Sequence, residues 1–170
     1  MEINVAQLLK VPIGAARNCE VDESVDVTGD GHSRLVKGKV RLLRTQRGIL
    51  VRGGLHTELE LICGRCLSVF DYPVALNIDE EYISTVDVVG GALLPSSDEP
   101  GAFTIDEHHV IDLTEAARQY VLLAIPIKPL CRKGCAGLCQ GCGHNLSQGP
   151  CDCPGQKIDP RWSELSKLLE

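Results

Sequence analysis

Aromatic residues are nearly missing: two Phe, three Tyr and one Trp make up 4 % of 170 residues. A core built on stacked rings is therefore excluded. The 44 % of apolar residues must fill the interior with Val, Leu and Ile. No run approaches the roughly 18 consecutive apolar residues that a membrane span needs. The segment Met1-Glu2-Ile3-Asn4-Val5-Ala6-Gln7-Leu8-Leu9-Lys10 has no basic stretch ahead of a long apolar one. No secretory leader is expected, and the chain is expected to stay in the cytoplasm. A Walker loop, a G-x-S-x-G elbow and a Gly-rich dinucleotide turn after a strand are all absent. Nothing nominates a catalytic group, so the chain is expected not to be an enzyme. The formal net charge of −6 argues against a general nucleic-acid binder, whose domains are usually basic. It leaves room for a local basic face.

Cysteine, by contrast, is abundant. Of nine, eight fall in pairs: Cys63/Cys66, Cys131/Cys135, Cys139/Cys142 and Cys151/Cys153. In a reducing compartment, paired cysteines mean metal or redox chemistry more often than disulfides. Structural zinc takes four ligands in a tetrahedron, and thiolates suit it. Two two-cysteine knuckles complete one site, so four pairs predict two zinc ions. Cys139, Cys142, Cys151 and Cys153 lie within 15 residues and form one compact set. Cys63/Cys66 then needs a distant partner, and Cys131/Cys135 supplies it. Iron ligated by the same thiolates is not excluded. A thiol redox pair is the weaker alternative, because no thioredoxin-like βαβ pattern accompanies Cys63. Cys19 has no partner nearby and reads as a free thiol. His144, inside the third knuckle, is a possible substitute ligand. His108 and His109 are adjacent, so on a strand they point apart.

The rest of the chain reads as α+β, an antiparallel β-sheet with a long hairpin and a few short helices. Asn4 caps a short helix from Val5 to about Lys10. Residues 19–33 are polar and acidic, with a turn at Thr28-Gly29-Asp30-Gly31. From Leu35 the apolar period is two: Val36, Gly38, Val40 and Leu42, a turn over 44–48, then Ile49, Val51, Gly53, Leu55, Thr57, Leu59, Leu61 and Cys63. This is a long hairpin with one face on a core. A third strand carries Phe70, Tyr72, Val74, Leu76 and Ile78. A flexible loop follows over 87–102, then a short strand within 104–111. Asp112 and Glu115 have capping-box spacing ahead of a helix that buries Leu113, Ala116, Ala117, Tyr120, Val121 and Ala124. Asp159-Pro160 opens a last helix with Trp162, Leu165, Leu168 and Leu169 on one stripe. Residues 1–130 are expected to form the core domain, including the Cys63/Cys66 knuckle. Residues 131–170 form a Cys-rich, zinc-knuckle appendage ending in that helix.

One stretch of this acidic chain carries no acid at all. Between Ser33 and Thr57 there is no Asp or Glu, while seven of the 17 basic residues sit there. Lys37, Lys39, Arg41 and Arg52 fall on the solvent face and are candidate contacts for RNA phosphates. Arg132-Lys133 can extend the patch. No aromatics interleave, so base stacking is not expected there.

The sequence as a whole resembles the YceD-like family of bacterial proteins. The resemblance rests on Cys63-Gly64-Arg65-Cys66-Leu67, on Pro126-Ile127-Lys128-Pro129-Leu130-Cys131 and Cys135-Ala136-Gly137-Leu138-Cys139, and on Cys142-Gly143-His144-Asn145-Leu146, Cys151-Asp152-Cys153 and Ile158-Asp159-Pro160-Arg161-Trp162. It implies a role in processing or stabilising the precursor of the large ribosomal RNA. It carries over no catalytic residue. Some similar proteins keep only the first C-x2-C, which implies that Cys63/Cys66 pairs with Cys131/Cys135 and that the second set is accessory. The expected partner is the large-subunit RNA precursor or a ribosome-assembly protein. The rival reading is a zinc-stabilised protein–protein adaptor without RNA contact.

Overall fold

The computed structural model describes residues 1–88, 90–94 and 101–153. Seven strands and two helices follow in the order β1 (Glu2–Asn4), α1 (Ala6–Leu9), β2 (Ala16–Val25), β3 (Arg34–Arg44), β4 (Gly48–Ile62), β5 (Val69–Ser84), β6 (Phe103–Ile105), β7 (Val110–Asp112) and α2 (Thr114–Ala124). β2 to β6 form one five-stranded sheet in sequence order, and β1 pairs with β7 in a separate two-stranded sheet.

The expected hairpin is present. β3 and β4 pair antiparallel, with Val40 opposite Gly53 and Leu42 opposite Val51. Its alternation places Val36, Val40, Leu42, Ile49, Val51, Leu55 and Leu59 in the core. Gly53 is required by proximity: a Cβ there would meet Lys39 O and lie 2.6 Å from Val40 Cα. Any side chain would push β3 and β4 apart. β4 and β5 are hydrogen-bonded neighbours. The six residues joining them (63–68) are too few for a crossover, so the pair is antiparallel.

Four elements depart from the sequence reading. The first helix is shorter, Ala6–Leu9, and Val5, not Asn4, is its cap, with no side-chain cap hydrogen bond. The acidic stretch from residue 19 is no loop at its start: Ala16–Val25 is an edge strand, antiparallel to β3 over ten residue pairs from Ala16–Leu43 to Val25–Arg34. An edge strand can be mostly exposed, so its polarity hid it. The single short strand expected within 104–111 is two strands in two sheets, and β6 runs parallel to β5, which makes the large sheet mixed. The capping box is not formed: Leu113, not Asp112, is the cap of α2, and no side chain caps the helix. Asp112 Oδ1 instead accepts from Thr114 N at 2.8 Å, and Glu115 is spent on Arg118 Nη2 at 2.7 Å. The last expected helix lies outside the described residues.

The chain divides into two compact units. The first comprises Met1–Leu61 and Asp71–Ile127; the second comprises Ile62–Phe70 and the chain from Lys128 onward. The division expected at residue 130 placed the Cys63/Cys66 knuckle with the core domain; the structure groups it with the C-terminal cysteines. In the first unit, Leu8 and Leu9 of α1 and Ala117 and Val121 of α2 join the strands in one aliphatic core. Its main aromatic feature is Tyr82 stacked on Phe103, with ring centroids 5.2 Å apart. Among the described residues, no helix is long and apolar enough to cross a membrane.

Candidate metal centres

All nine cysteines are free thiols. Eight of them converge in two groups of four: Cys63, Cys66, Cys131 and Cys135, and Cys139, Cys142, Cys151 and Cys153. Within each group the sulfurs lie within 4.8 Å of one another. These are the two sets expected from the sequence. His144 belongs to neither group, and Cys19 stands apart, half-buried on β2.

The local turns explain how each knuckle forms. Cys63 O accepts from Leu67 N at 3.0 Å, and Cys139 O accepts from Gly143 N at 2.8 Å. Both turns place the residue after the second cysteine in the left-handed region, with φ 57° at Leu67 and 75° at Gly143. Glycine takes that conformation without a Cβ clash, whereas leucine does so under strain. Cys63 N donates to Ser68 O at 2.9 Å, and Cys139 N donates to His144 O at 2.8 Å. The first knuckle meets its distant partners through Gly64 N to Pro129 O at 2.8 Å and Arg65 Nη1 to Cys135 O at 3.0 Å. Cys63, Cys66 and Cys135 are buried and pack with Phe70, Leu130 and Leu138.

The donor set fits a tetrahedral ion. Four sulfurs at about 2.3 Å from a common zinc stand roughly 3.8 Å apart. Cys63 and Cys135 sulfurs are 3.8 Å apart, and Cys66 and Cys131 sulfurs are 3.7 Å apart. Such separations are far too long for a disulfide of about 2.05 Å. The thiols are also electrostatically prepared. Backbone N–H groups of Cys131, Cys66 and Arg65 lower Cys63 to about 6. The Ser68 hydroxyl and backbone N–H lower Cys66. Burial first, then the neighbouring thiols, push Cys131 up to about 12. In the second group, the Cys142 and Gly141 N–H groups lower Cys139 to about 6, while the Cys142 and Cys139 thiols hold Cys153 up at about 12. Four thiolates crowded together resist full ionisation; a divalent cation among them removes that conflict.

The RNA-contact candidates are also placed. Lys37, Lys39, Arg41 and Arg52 are all exposed on the hairpin, as their alternation implied. Three of the four meet a carboxylate: Lys37 Nζ and Asp22 Oδ2 at 3.2 Å, Lys39 Nζ and Glu20 Oε1 at 2.9 Å, and Arg52 Nε and Asp79 Oδ1 at 2.9 Å. Arg41 stands opposite Asn18 on one side and Arg52 on the other. Arg34 is held by Asp30 at 2.7 Å, and Arg44 donates to the turn carbonyls of Thr45 and Gly48.

A mostly antiparallel sheet with two four-thiol centres defines a β-rich protein with two sites suited to a metal ion. Residues 51–169 match the family described as large ribosomal RNA subunit accumulation protein YceD, and the chain belongs to that family. A protein of Mycobacterium tuberculosis and one of Mycobacterium bovis, both named as uncharacterized, are each 32 % identical to it over 130 residues. An uncharacterized Mycobacterium leprae protein is 25 % identical over 130 residues. The matched segment is 76 % of this chain in all three; it spans 60 % of the first two relatives and 57 % of the third. No solved structure matches the chain.

Proposed function

We propose that this chain is a non-enzymatic, cytoplasmic factor in the accumulation of large-subunit ribosomal RNA, with two structural zinc ions. The carrying observation is the pair of four-cysteine clusters in a chain of this family. Each cluster offers four thiolates, which fill a tetrahedron and leave no open position for a substrate. Zinc would then fix the backbone around Cys63–Cys66 and Cys131–Cys153 as a rigid binding surface. The partner is the large-subunit RNA precursor, bound directly or within an assembling particle.

The test is made in the cell that encodes the chain. Depletion is expected to lower the ratio of large- to small-subunit ribosomal RNA. Wild type restores it, and Cys66→Ser does not. Purified without added metal, the chain should carry two zinc ions by elemental analysis and no visible absorption. An unchanged RNA ratio rejects the role. Iron in place of zinc, or reactive thiols with one ion or none, rejects the two-zinc sites.

One observation favours the adaptor reading. Ile62, Leu67 and Val69 flank the first knuckle and are 60 %, 63 % and 57 % exposed. Leu67 is both exposed and strained, a combination that local stability does not reward. A protein partner covering these three side chains would account for it. Under that reading, Leu67→Asp lowers co-purification with ribosome precursors while RNA affinity of the purified chain is unchanged.

A further inference from the structure

If the partner is RNA, its phosphates need a surface on which positive charge is free. The acid-free hairpin offers one only when read along the chain. Across the sheet, β2 and β5 bring Glu20, Asp22 and Asp79 beside Lys39, Lys37 and Arg52. A groove of about 690 Å³ on the same strands holds Arg34 and Lys37, but also Glu58, Glu60 and Asp71. A phosphate approaching here meets a carboxylate beside Arg34, Lys37, Lys39 and Arg52. The first unit as a whole has ten Lys and Arg against nineteen Asp and Glu.

The second unit has the opposite balance, with seven Lys and Arg against four Asp and Glu. Its described residues contain Arg65, Lys128, Arg132 and Lys133 against Asp152 alone. All four basic residues are exposed. Among the described residues, Lys128, Arg132 and Lys133 have no ion-pair partner. They are also grouped. Arg65 and Lys128 line one cavity of about 370 Å³ with Gly64 and Leu130. Cys135 N donates to Arg132 O at 3.1 Å, closing a turn between two thiol ligands that Arg132 opens and that carries Lys133 at its tip. The backbone beneath them is fixed by Gly64 N to Pro129 O and by Arg65 to Cys135 O. Cations on a rigid frame lose less freedom when they meet phosphate.

We infer that the phosphate-binding surface of this protein is the basic rim of the first four-cysteine site, formed by Arg65, Lys128, Arg132 and Lys133. This rests on the ribosomal RNA reading and moves the contact from the hairpin to the knuckle. Each phosphate neutralised by Lys or Arg releases condensed counterions, so affinity falls with salt.

The test uses the full-length, zinc-loaded chain and a transcript of a large-subunit ribosomal RNA domain, with affinity measured from low to moderate salt. Lys128→Ala with Arg132→Ala and Lys133→Ala is expected to flatten the slope of log affinity against log salt by about two units, at about 0.7–0.9 per lost contact. Lys37→Ala with Lys39→Ala leaves the slope unchanged, and Arg132→Lys with Lys133→Arg keeps it near wild type. Zinc content stays at two ions in every variant. A triple variant with the wild-type slope overturns the inference, and so does a slope that flattens in the hairpin variant instead. Loss of zinc from the triple variant in step with its binding also overturns it, because the cations then serve the thiolates. If the wild type shows no salt-dependent binding, direct RNA contact falls altogether; the RNA ratio in depleted cells still judges the cellular role.

Discussion

The two knuckles perform the same turn with different residues, which isolates a single backbone effect. Leu67 and Gly143 both occupy positive φ after the second cysteine. A non-glycine residue there costs about 1–2 kcal/mol, partly offset in a glycine by greater freedom of the unfolded chain. Leu67→Gly is therefore expected to be neutral or stabilising by up to about 1 kcal/mol, since the Leu67 side chain buries little. Gly143→Ala is expected to destabilise by about 1 kcal/mol. Thermal unfolding of the zinc-loaded chain reads both. A large loss of stability in Leu67→Gly would mean that the leucine holds a contact within the chain.

At the scale of the element, α2 shows how a local pair sets pH dependence. Glu115 receives Arg118 Nε at 2.8 Å and Nη2 at 2.7 Å, and Gln119 Nε2 at 3.0 Å. Arg118 first, and Gln119 second, hold its carboxyl down at about 2. A depressed carboxylate adds stability that is complete above its ordinary value near 4.5 and is lost as pH falls through about 2. Glu115→Gln should lower the melting temperature at pH 7, and the gap to wild type should narrow between pH 4.5 and pH 2. The zinc content of both chains is measured at each pH, and the gap is compared only where the two contents are equal. The group is on the surface, where such pairs are weak; a gap that does not narrow with acid removes the electrostatic explanation.

For the whole molecule, the two candidate metal sites, if they hold zinc as proposed, are expected to differ in consequence. The first joins segments 65 residues apart, Cys66 to Cys131, and its Cys63, Cys66 and Cys135 are 0 %, 4 % and 2 % exposed. The second is drawn from 15 successive residues and has Cys142 on the surface. Structural zinc can supply on the order of 10 kcal/mol of folding free energy, comparable to the about 5–15 kcal/mol stability of a domain. Cys66→Ser should therefore sharply lower solubility and melting temperature, whereas Cys151→Ser should act mainly on the local segment. A chelator should remove zinc in two phases, the exposed site first. Equal loss rates, or a Cys66→Ser chain as stable as wild type, would contradict this ranking.

The sequence by itself determined the period-two hairpin and both thiol sets. Alternation decides which face of a strand is buried, and a tetrahedral metal site takes four thiolates, which sets how many cysteines would meet. The match of Cys63/Cys66 to Cys131/Cys135 was legible because the other four cysteines already formed a compact set. β2 was not legible, since an edge strand with acids on its open face has almost no apolar period. Only the tertiary structure decided the charge pattern. Lys37, Lys39 and Arg52 look unopposed in sequence, yet their carboxylates arrive from β2 and β5, 15, 19 and 27 positions away. Strand pairing brings distant residues to within hydrogen-bond reach, and Coulomb forces depend on that distance in space. The same folding gathers Arg65 with Lys128, Arg132 and Lys133 in the second unit, and so leaves a group of basic residues beside the thiols with Asp152 as the one acid among that unit's described residues.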